Sequence, residues 1–520
     1  MSHDTPDHSA AASPRVGPVA TSDRAGHIET HGVDVIPDAE RHGRPRELFW
    51  VWMSANVVYL YFVLGGVLVL LGLSIWEALA ITVVGNLWWA AVGWLAVSGP
   101  ASGTPSVTVM RAMFGIRGNR VFGGGLGVAI GLFYEIINIA VATLAANALL
   151  GLIGIDVSGG LGWVVLVVVA GLSFVLSVYG HATITRLSPF FSAALAVAFV
   201  VLAVFVFQAA DFSYTPAPMP DGDHWAMVLL GYAIVASGPL SWGTGADYAR
   251  YLPRDTPKRK VALWTALGGF IPAVLIGTLG VFAGTAIDMT DPQLTIGEIV
   301  PGWFTPIFLA IVVLGSITNN VLVAYSTGLY AQGLGIRVSR AATVVITGVL
   351  ATAAAGWFVY LAPSFLDTLN AALELSVTVL GPLVAIYAVD IFLRRNRYDG
   401  VALSDERRGS PFWYHGGVFW PGVVTMLVGT TLAVLMANTT LYVGPVSAAL
   451  GGADLSAVAG PFLAGALYAV LWLATPPYRD RALRPAAPVR DHIEAADAAA
   501  SGSHQTDAAA SDPVTMEVPA

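Results

Sequence analysis

Positive charge in this chain is sorted by position. Apolar stretches run over 48–71, 77–97, 124–151, 161–179, 188–208, 225–244, 261–287, 303–330, 340–361, 364–392, 417–437 and 457–474. The gaps between them alternate between basic and base-free. Five arginines precede the first stretch, and Arg111, Arg117 and Arg120 separate the second from the third. Arg186 follows the fourth, and Arg250, Arg254, Lys258, Arg259 and Lys260 follow the sixth. Arg337 and Arg340 follow the eighth, five arginines follow the tenth, and four close the chain. The other gaps carry acids such as Asp156, Asp211, Asp291 and Asp454, and no base. All 25 lysines and arginines obey the pattern. Basic loops stay cytoplasmic, so the pattern predicts twelve spans with both termini inside. One span too many or too few would break the alternation.

Composition points the same way. The chain is 56% hydrophobic and only 11% charged, against about a quarter charged in soluble domains. A helix needs about 20 apolar residues to cross a bilayer, and most stretches reach that length. Backbone polar groups in lipid must be satisfied within the segment, so the spans are read as helices. No ten-residue alternation of the β-barrel kind is present. The absence of cysteine excludes disulfides and thiolate metal sites. Residues 1–45 hold no signal-peptide core and are expected to be a disordered cytoplasmic tail, as are 477–520. The membrane-embedded body is expected over 46–476.

Irregularities within the spans narrow the class. The sixth stretch meets Ser237-Gly238-Pro239-Leu240-Ser241-Trp242-Gly243 about a dozen residues in. Proline lacks the backbone donor and glycine tolerates non-helical angles, so a true break is expected there. The first stretch has a softer counterpart in Ser54-Ala55-Asn56 with Gly65-Gly66. Breaks in spans one and six imply a repeat of five helices. Five is odd, so the second copy enters from the opposite face. Inverted repeats with corresponding broken helices point to a secondary transporter with a midplane site. The repeats are expected over 46–208 and 225–395, with two extra helices at 417–474.

Polar residues inside spans mark the pathway. Tyr134 and Asn138 are four apart and share a helical face, with Glu135 turned about 100° away. The eighth stretch holds Ser316, Thr318, Asn319 and Asn320, and the tenth holds Asn370 and Glu374. A flat heterocycle stacks on aromatic rings while its edge pairs with carboxamides, which donate and accept from one plane. Trp242 is placed to close the other face of such a sandwich. A carboxylate ligand would instead use exposed helix N-termini, leaving an amino-acid or vitamin transporter as the alternative. A channel would need a continuous polar pore. An enzyme would need a nucleophile–base or metal constellation, and the spans contain no histidine. No cofactor, nucleic-acid partner or obligatory protein partner is implied, only a small-molecule substrate and the bilayer.

Several stretches resemble the nucleobase–cation symporter-1 family, on its cytosine/purine permease branch. They are Gly85-Asn86-Leu87, the loop Gly99-Pro100-Ala101 with Gly103-Thr104-Pro105, Arg111 and Phe114-Gly115, and Ala246-Asp247-Tyr248-Ala249-Arg250-Tyr251-Leu252-Pro253. The resemblance implies an all-α integral membrane protein of twelve helices, a 5+5 inverted repeat of LeuT-like kind, in the plasma (inner) membrane. It also implies cation-coupled uptake of a base or related heterocycle. It assigns substrate binding to Tyr134, Asn138, Trp242, Asn319 and Asn320, beside Asn56 at the first break. The family's eighth-helix pattern Asn-Asn-x-x-Asn-x-Tyr-Ser is matched except at Val323. Tyr134 stands where the family commonly has tryptophan. For coupling, Ser316 and Thr318 would serve sodium with carbonyls near Asn56, whereas Glu135 or Glu374 would serve a proton. Arg250 and Asp247 are expected to form a loop that sets topology without touching substrate.

Overall fold

The computed structural model describes residues 23–157, 159–361, 365–439 and 442–475, with the backbone alone over 365–374. Each apolar stretch of the sequence is helical. The first folds as α1 (Pro45–Asn56) and α2 (Tyr59–Leu70), bent by 60° at the join. There follow α3 (Ile75–Ser102), α4 (Leu126–Leu152), α5 (Gly160–Tyr179) and α6 (His181–Ala209). The sixth stretch forms α7 (Asp221–Leu240) and α8 (Gly245–Ala249), and α9 (Lys258–Gly284) follows. A short outer helix, α10 (Pro292–Thr295), precedes α11 (Thr305–Gly333), α12 (Arg340–Tyr360) and α13 (Phe365–Leu393). The chain closes with α14 (Trp420–Met436) and α15 (Ser456–Leu473). Among the described residues ten helices are long and apolar enough to cross a membrane, besides the bent pair and the 17-residue α14.

Burial orders these helices. In α11, 78% of the most apolar window is buried, against 28% in α6. Thus α11 is the central post, packed chiefly on α4, while α5 and α6 turn Val164, Val168, Leu172, Val197 and Val200 outward. In water such faces would be a liability; facing acyl chains they are the expected surface of a spanning helix. Where helices cross closely, side chains are removed. A Cβ on Gly65 or Gly280 would strike the backbone of the facing helix, so α2 and α9 pack backbone to backbone.

The two interruptions differ from expectation. The sharp break is the first: Val58 is extended (φ −134°, ψ 146°), and Asn56 turns its amide back onto Trp52 O at 2.7 Å. In the sixth stretch the helix runs through Gly238 and Pro239 and stops at Leu240, and Asp221–Ala249 remains one span. Pro239 has no N–H to give the carbonyl of Val235 and its ring crowds that turn, and the helix ends one residue later. Residues 241–244 are the non-helical link.

The amino-terminal expectation needs a larger correction. From Asp23 onward the segment is ordered and packed against the helix ends, with Ile36 and Glu29 buried. Glu29 draws it down: its Oε1 accepts from Arg250 Nη2 at 2.7 Å, Tyr251 OH at 2.8 Å and Tyr325 OH at 3.1 Å. Its other oxygen lies 3.5 Å from Arg340 Nε and accepts from His181 N at 3.0 Å. Arg250 is therefore no solvated loop residue, and it also donates to Gly32 O. Asp247 accepts from Ser106 N at 2.7 Å. Gly180, at φ +89°, joins α5 to α6 where a Cβ would collide with Glu29. Residues 1–22 and 476–520 lie outside the described residues.

Candidate substrate cavity

The two links and the central post enclose a cavity of about 180 Å³. A dry cavity of about 150 Å³ takes benzene, so this space suits a small ring system. Tyr134, Asn138, Trp242, Asn56, Ser316, Asn319 and Val323 all line it.

Its amides are fixed by backbone carbonyls. Asn138 Nδ2 donates to Tyr134 O at 2.9 Å and to Asn319 Oδ1 at 2.8 Å. Asn319 Nδ2 donates to Ala55 O at 2.7 Å, one of the carbonyls freed at the first break. A carbonyl only accepts, so both amide nitrogens are forced toward their partners. Asn138 Oδ1 is thereby left as an uncommitted acceptor, beside one spare hydrogen and one spare lone pair on Asn319. Asn56 is spent locally, taking Tyr61 OH at 2.9 Å while donating to Trp52 O. It shapes the wall and has little left to offer a ligand.

Aromatic walls complete the space. Trp242 packs edge-on to Trp52 (5.2 Å, 87°), which packs edge-on to Trp89 (5.4 Å, 67°). Such pairs fix ring planes, so Trp242 is held from behind. Tyr134 OH reaches Ser376 Oγ at 3.4 Å.

Three expected residues lie elsewhere. Asn320 points 100° from Asn319 and away from the cavity, into the helix packing. Glu135 is likewise buried behind the cavity. Thr318 donates to Gly315 O at 2.9 Å and lines a separate small space with Ser54 and Ser188. Ser316 lines the main cavity instead, so these two hydroxyls do not converge on one ion. Glu374 and Asn370 lie outside the described side chains. Residues that were not anticipated include Tyr61, Tyr330 and Ser241, with Asp291 and Gln293 from the loop at α10. Only the fold brings that loop over the site, and nothing in its local sequence signals this.

A bundle of apolar helices around an amide-lined cavity beside interrupted helices is the arrangement expected of a membrane transporter. Residues 35–460 match the family model described as permease for cytosine/purines, uracil, thiamine, allantoin, and the chain belongs to that family. A putative purine-cytosine permease of Bacillus subtilis, YxlA, is 27% identical over 85% of this chain and 96% of its own length. The vitamin B6 transporter TPN1 of Saccharomyces cerevisiae is 24% identical over 51% of this chain and 46% of its own. Among solved structures, Mhp1, a nucleobase-cation-symport-1 family transporter in a closed conformation with bromovinylhydantoin bound, superposes with a TM-score of 0.65. That match has 18% identity and covers 90% of this chain and 99% of Mhp1, and it establishes a shared fold.

Proposed function

We propose that this protein is a secondary symporter that imports a nucleobase, cytosine or a purine, or a related heterocycle, with a proton or sodium ion. The base stacks between Tyr134 and Trp242 and presents a donor–acceptor edge to Asn138 and Asn319. The observation that carries this reading is the carbonyl-locked amide pair, which keeps one acceptor free on Asn138 and one N–H free on Asn319. A base edge with N–H next to C=O or ring nitrogen is its complement. Twelve spans in a 5+5 inverted repeat, with both termini cytoplasmic in the plasma membrane, fit the charge alternation and the two interruptions.

Transport proceeds by alternating access. The site is reached from outside past Asp291 and Gln293 of the α10 loop. It is emptied inward when the bundles rock and the Glu29 strap parts from Arg250. Ion binding favours the loaded state, and the ion's movement down its own gradient accumulates the substrate carried with it.

The decisive measurement is uptake of radiolabelled cytosine, adenine, hypoxanthine, uracil and allantoin into cells lacking their own permeases. Saturable uptake of one of them, lost in Asn138→Ala at equal surface expression, is the expected result. Failure of every heterocycle would overturn the reading. Val323 keeps a second reading open, because it puts an apolar wall where the family pattern has an amide. A vitamin-like ring, as named for TPN1, would tolerate that wall, and pyridoxine added to the panel separates the two.

A further inference from the structure

Glu135 is fully buried, and among the described residues neither carboxyl oxygen has a hydrogen-bond partner. Asn320, 1% exposed, is unpartnered at both amide atoms. Both belong to one seam. On α4 the residues at i+4 and i+7 from Glu135 are Ile139 and Ala142, which pack among Leu166, Val169, Ala351 and Ile317. On α11, Ile317, Asn320, Ala324 and Thr327 form the matching stripe by helical spacing. The helices run antiparallel here: Asn138 meets Asn319, while Gly131 meets Thr327. Glu135 therefore lies at a level between Asn320 and Thr327. Thr327 stands beside it, lines the substrate cavity, and donates its hydroxyl to Val323 O at 2.8 Å.

Among the described residues no opposite charge serves this carboxyl. Neither α5 nor α11 contains a charged residue, and their titratable groups are tyrosines. On α12 the one charge is Arg340, committed to Ser177 O, Val178 O and Glu29. In the segment leading into α4, Arg120 pairs with Glu406 at 2.9 Å. A buried unpaired anion is among the most expensive groups a protein can hold, and an intramembrane ionisable residue marks a functional site by default. Sodium has a weaker claim, because Ser316 and Thr318 face different spaces.

We infer that Glu135 carries the coupling proton. This rests on the transport reading above. With the site open outward, its carboxylate takes a proton that enters past Thr327. It travels as a neutral carboxyl while the seam is dry, and returns the proton to water when the site opens inward. Substrate and proton then share one cavity mouth without sharing ligands, which couples them through its opening.

Purified full-length protein in liposomes tests this. An imposed pH gradient, acid outside, should drive accumulation of the transported base by the wild type. Glu135→Gln should lose that accumulation while still exchanging external for internal labelled base. Glu135→Asp should recover accumulation with a displaced pH profile, a rescue that a purely structural role would not give. Accumulation by Glu135→Gln with unchanged protonophore sensitivity overturns the inference. Wild-type accumulation on a sodium gradient alone also overturns it, while leaving the transport reading intact. If the wild type neither exchanges nor accumulates any base, the transport reading itself has failed and the inference falls with it.

Discussion

Arg250 and Glu29, 221 residues apart in sequence, meet at 2.7 Å with both side chains sealed from solvent. The pair ties the segment before α1 to the residue just after α8, beyond the interruption at 241–244. Arg340 at the start of α12 and Tyr325 of α11 converge on the same carboxylate. One acidic residue thus clasps the end of α8, the start of α12 and the body of α11 to the strap that carries it.

Removing Glu29 leaves two buried guanidinium groups facing each other without a counter-charge. Breaking a buried pair from one side costs roughly 3–5 kcal/mol, whereas replacing the whole set by apolar groups is often neutral. Glu29→Ala should lower the thermal unfolding temperature in detergent substantially. Adding Arg250→Met and Arg340→Met should restore part of the loss. A Glu29→Ala protein as stable as the wild type would show that the clasp does not hold the fold.

The same carboxylate sets an acid limit. Burial alone would raise its pKa, but Arg250 and Arg340 outweigh burial and hold it below the ordinary range. A depressed carboxyl contributes stability that is present above its unfolded value and lost as pH falls through the folded one. Thermal denaturation followed downward from pH 6 should show a loss of stability that Glu29→Gln lacks.

His31 sets an opposing alkaline limit. Its ring lies between Asp34 (2.7 Å) and Glu40 (3.0 Å), and those hydrogen bonds, Asp34 first, raise its pKa to about 9 against desolvation. A raised histidine contributes stability in full below about 6.5 and loses it as pH climbs through the folded value. Stability should therefore decline from pH 6.5 to beyond 9 in the wild type, and less steeply in His31→Gln. Equal slopes would remove His31 from the account.

Hydropathy and charge carried the helix positions because both are local sums over twenty residues, insensitive to partners. The strap was illegible for the opposite reason. Glu29 sits in a polar stretch, and its burial depends on Arg250 and Arg340, hundreds of residues away. The relative sharpness of the two interruptions was also invisible. Pro239 signals irregularity locally, but the 60° bend after Asn56 is held by Asn319 capturing Ala55 O and by Tyr61 capturing Asn56. Asn319 and Asn320 differ by one residue and 100° of helix, and only the packing of α4 on α11 decides which one lines the cavity.

That distinction is measurable. Asn138→Ala strips Asn319 Oδ1 of its donor and removes the free acceptor, so a buried polar group is left unpaired. Such losses cost roughly 1–3 kcal/mol, a weakening of about 5- to 150-fold at 1.4 kcal/mol per decade. Asn319→Ala should do the same and free Ala55 O at the bend. Asn320→Ala, outside the cavity, should leave affinity within about threefold, since it is truncated where no ligand reaches. Ligand binding by tryptophan quenching, with Trp242 as reporter, gives all three. Equal losses at Asn319 and Asn320 would mean that the cavity is not the binding site.

On the proposed transport reading, Val323 sets how much of the ring's edge is read. It sits one turn from Asn319 on α11 and lines the cavity with carbon alone. A substrate that fits the wild type must face it with carbon or with an edge that gives up no hydrogen bond. Val323→Asn puts a carboxamide there. For the wild type's best substrate that amide has no partner, and burying it costs about 1–3 kcal/mol. For a base with a donor or acceptor at that edge the same amide makes a new bond. A site built to pair with a polar edge rejects analogues lacking it far more strongly than an apolar wall rejects a polar one. Competition against labelled substrate across cytosine, uracil, hypoxanthine, allantoin and pyridoxine should therefore invert its order in the variant, at similar transport of the newly preferred ring. A uniform drop across the panel would assign Val323 to packing, and selectivity would then have to reside in Asn138 and Asn319 alone.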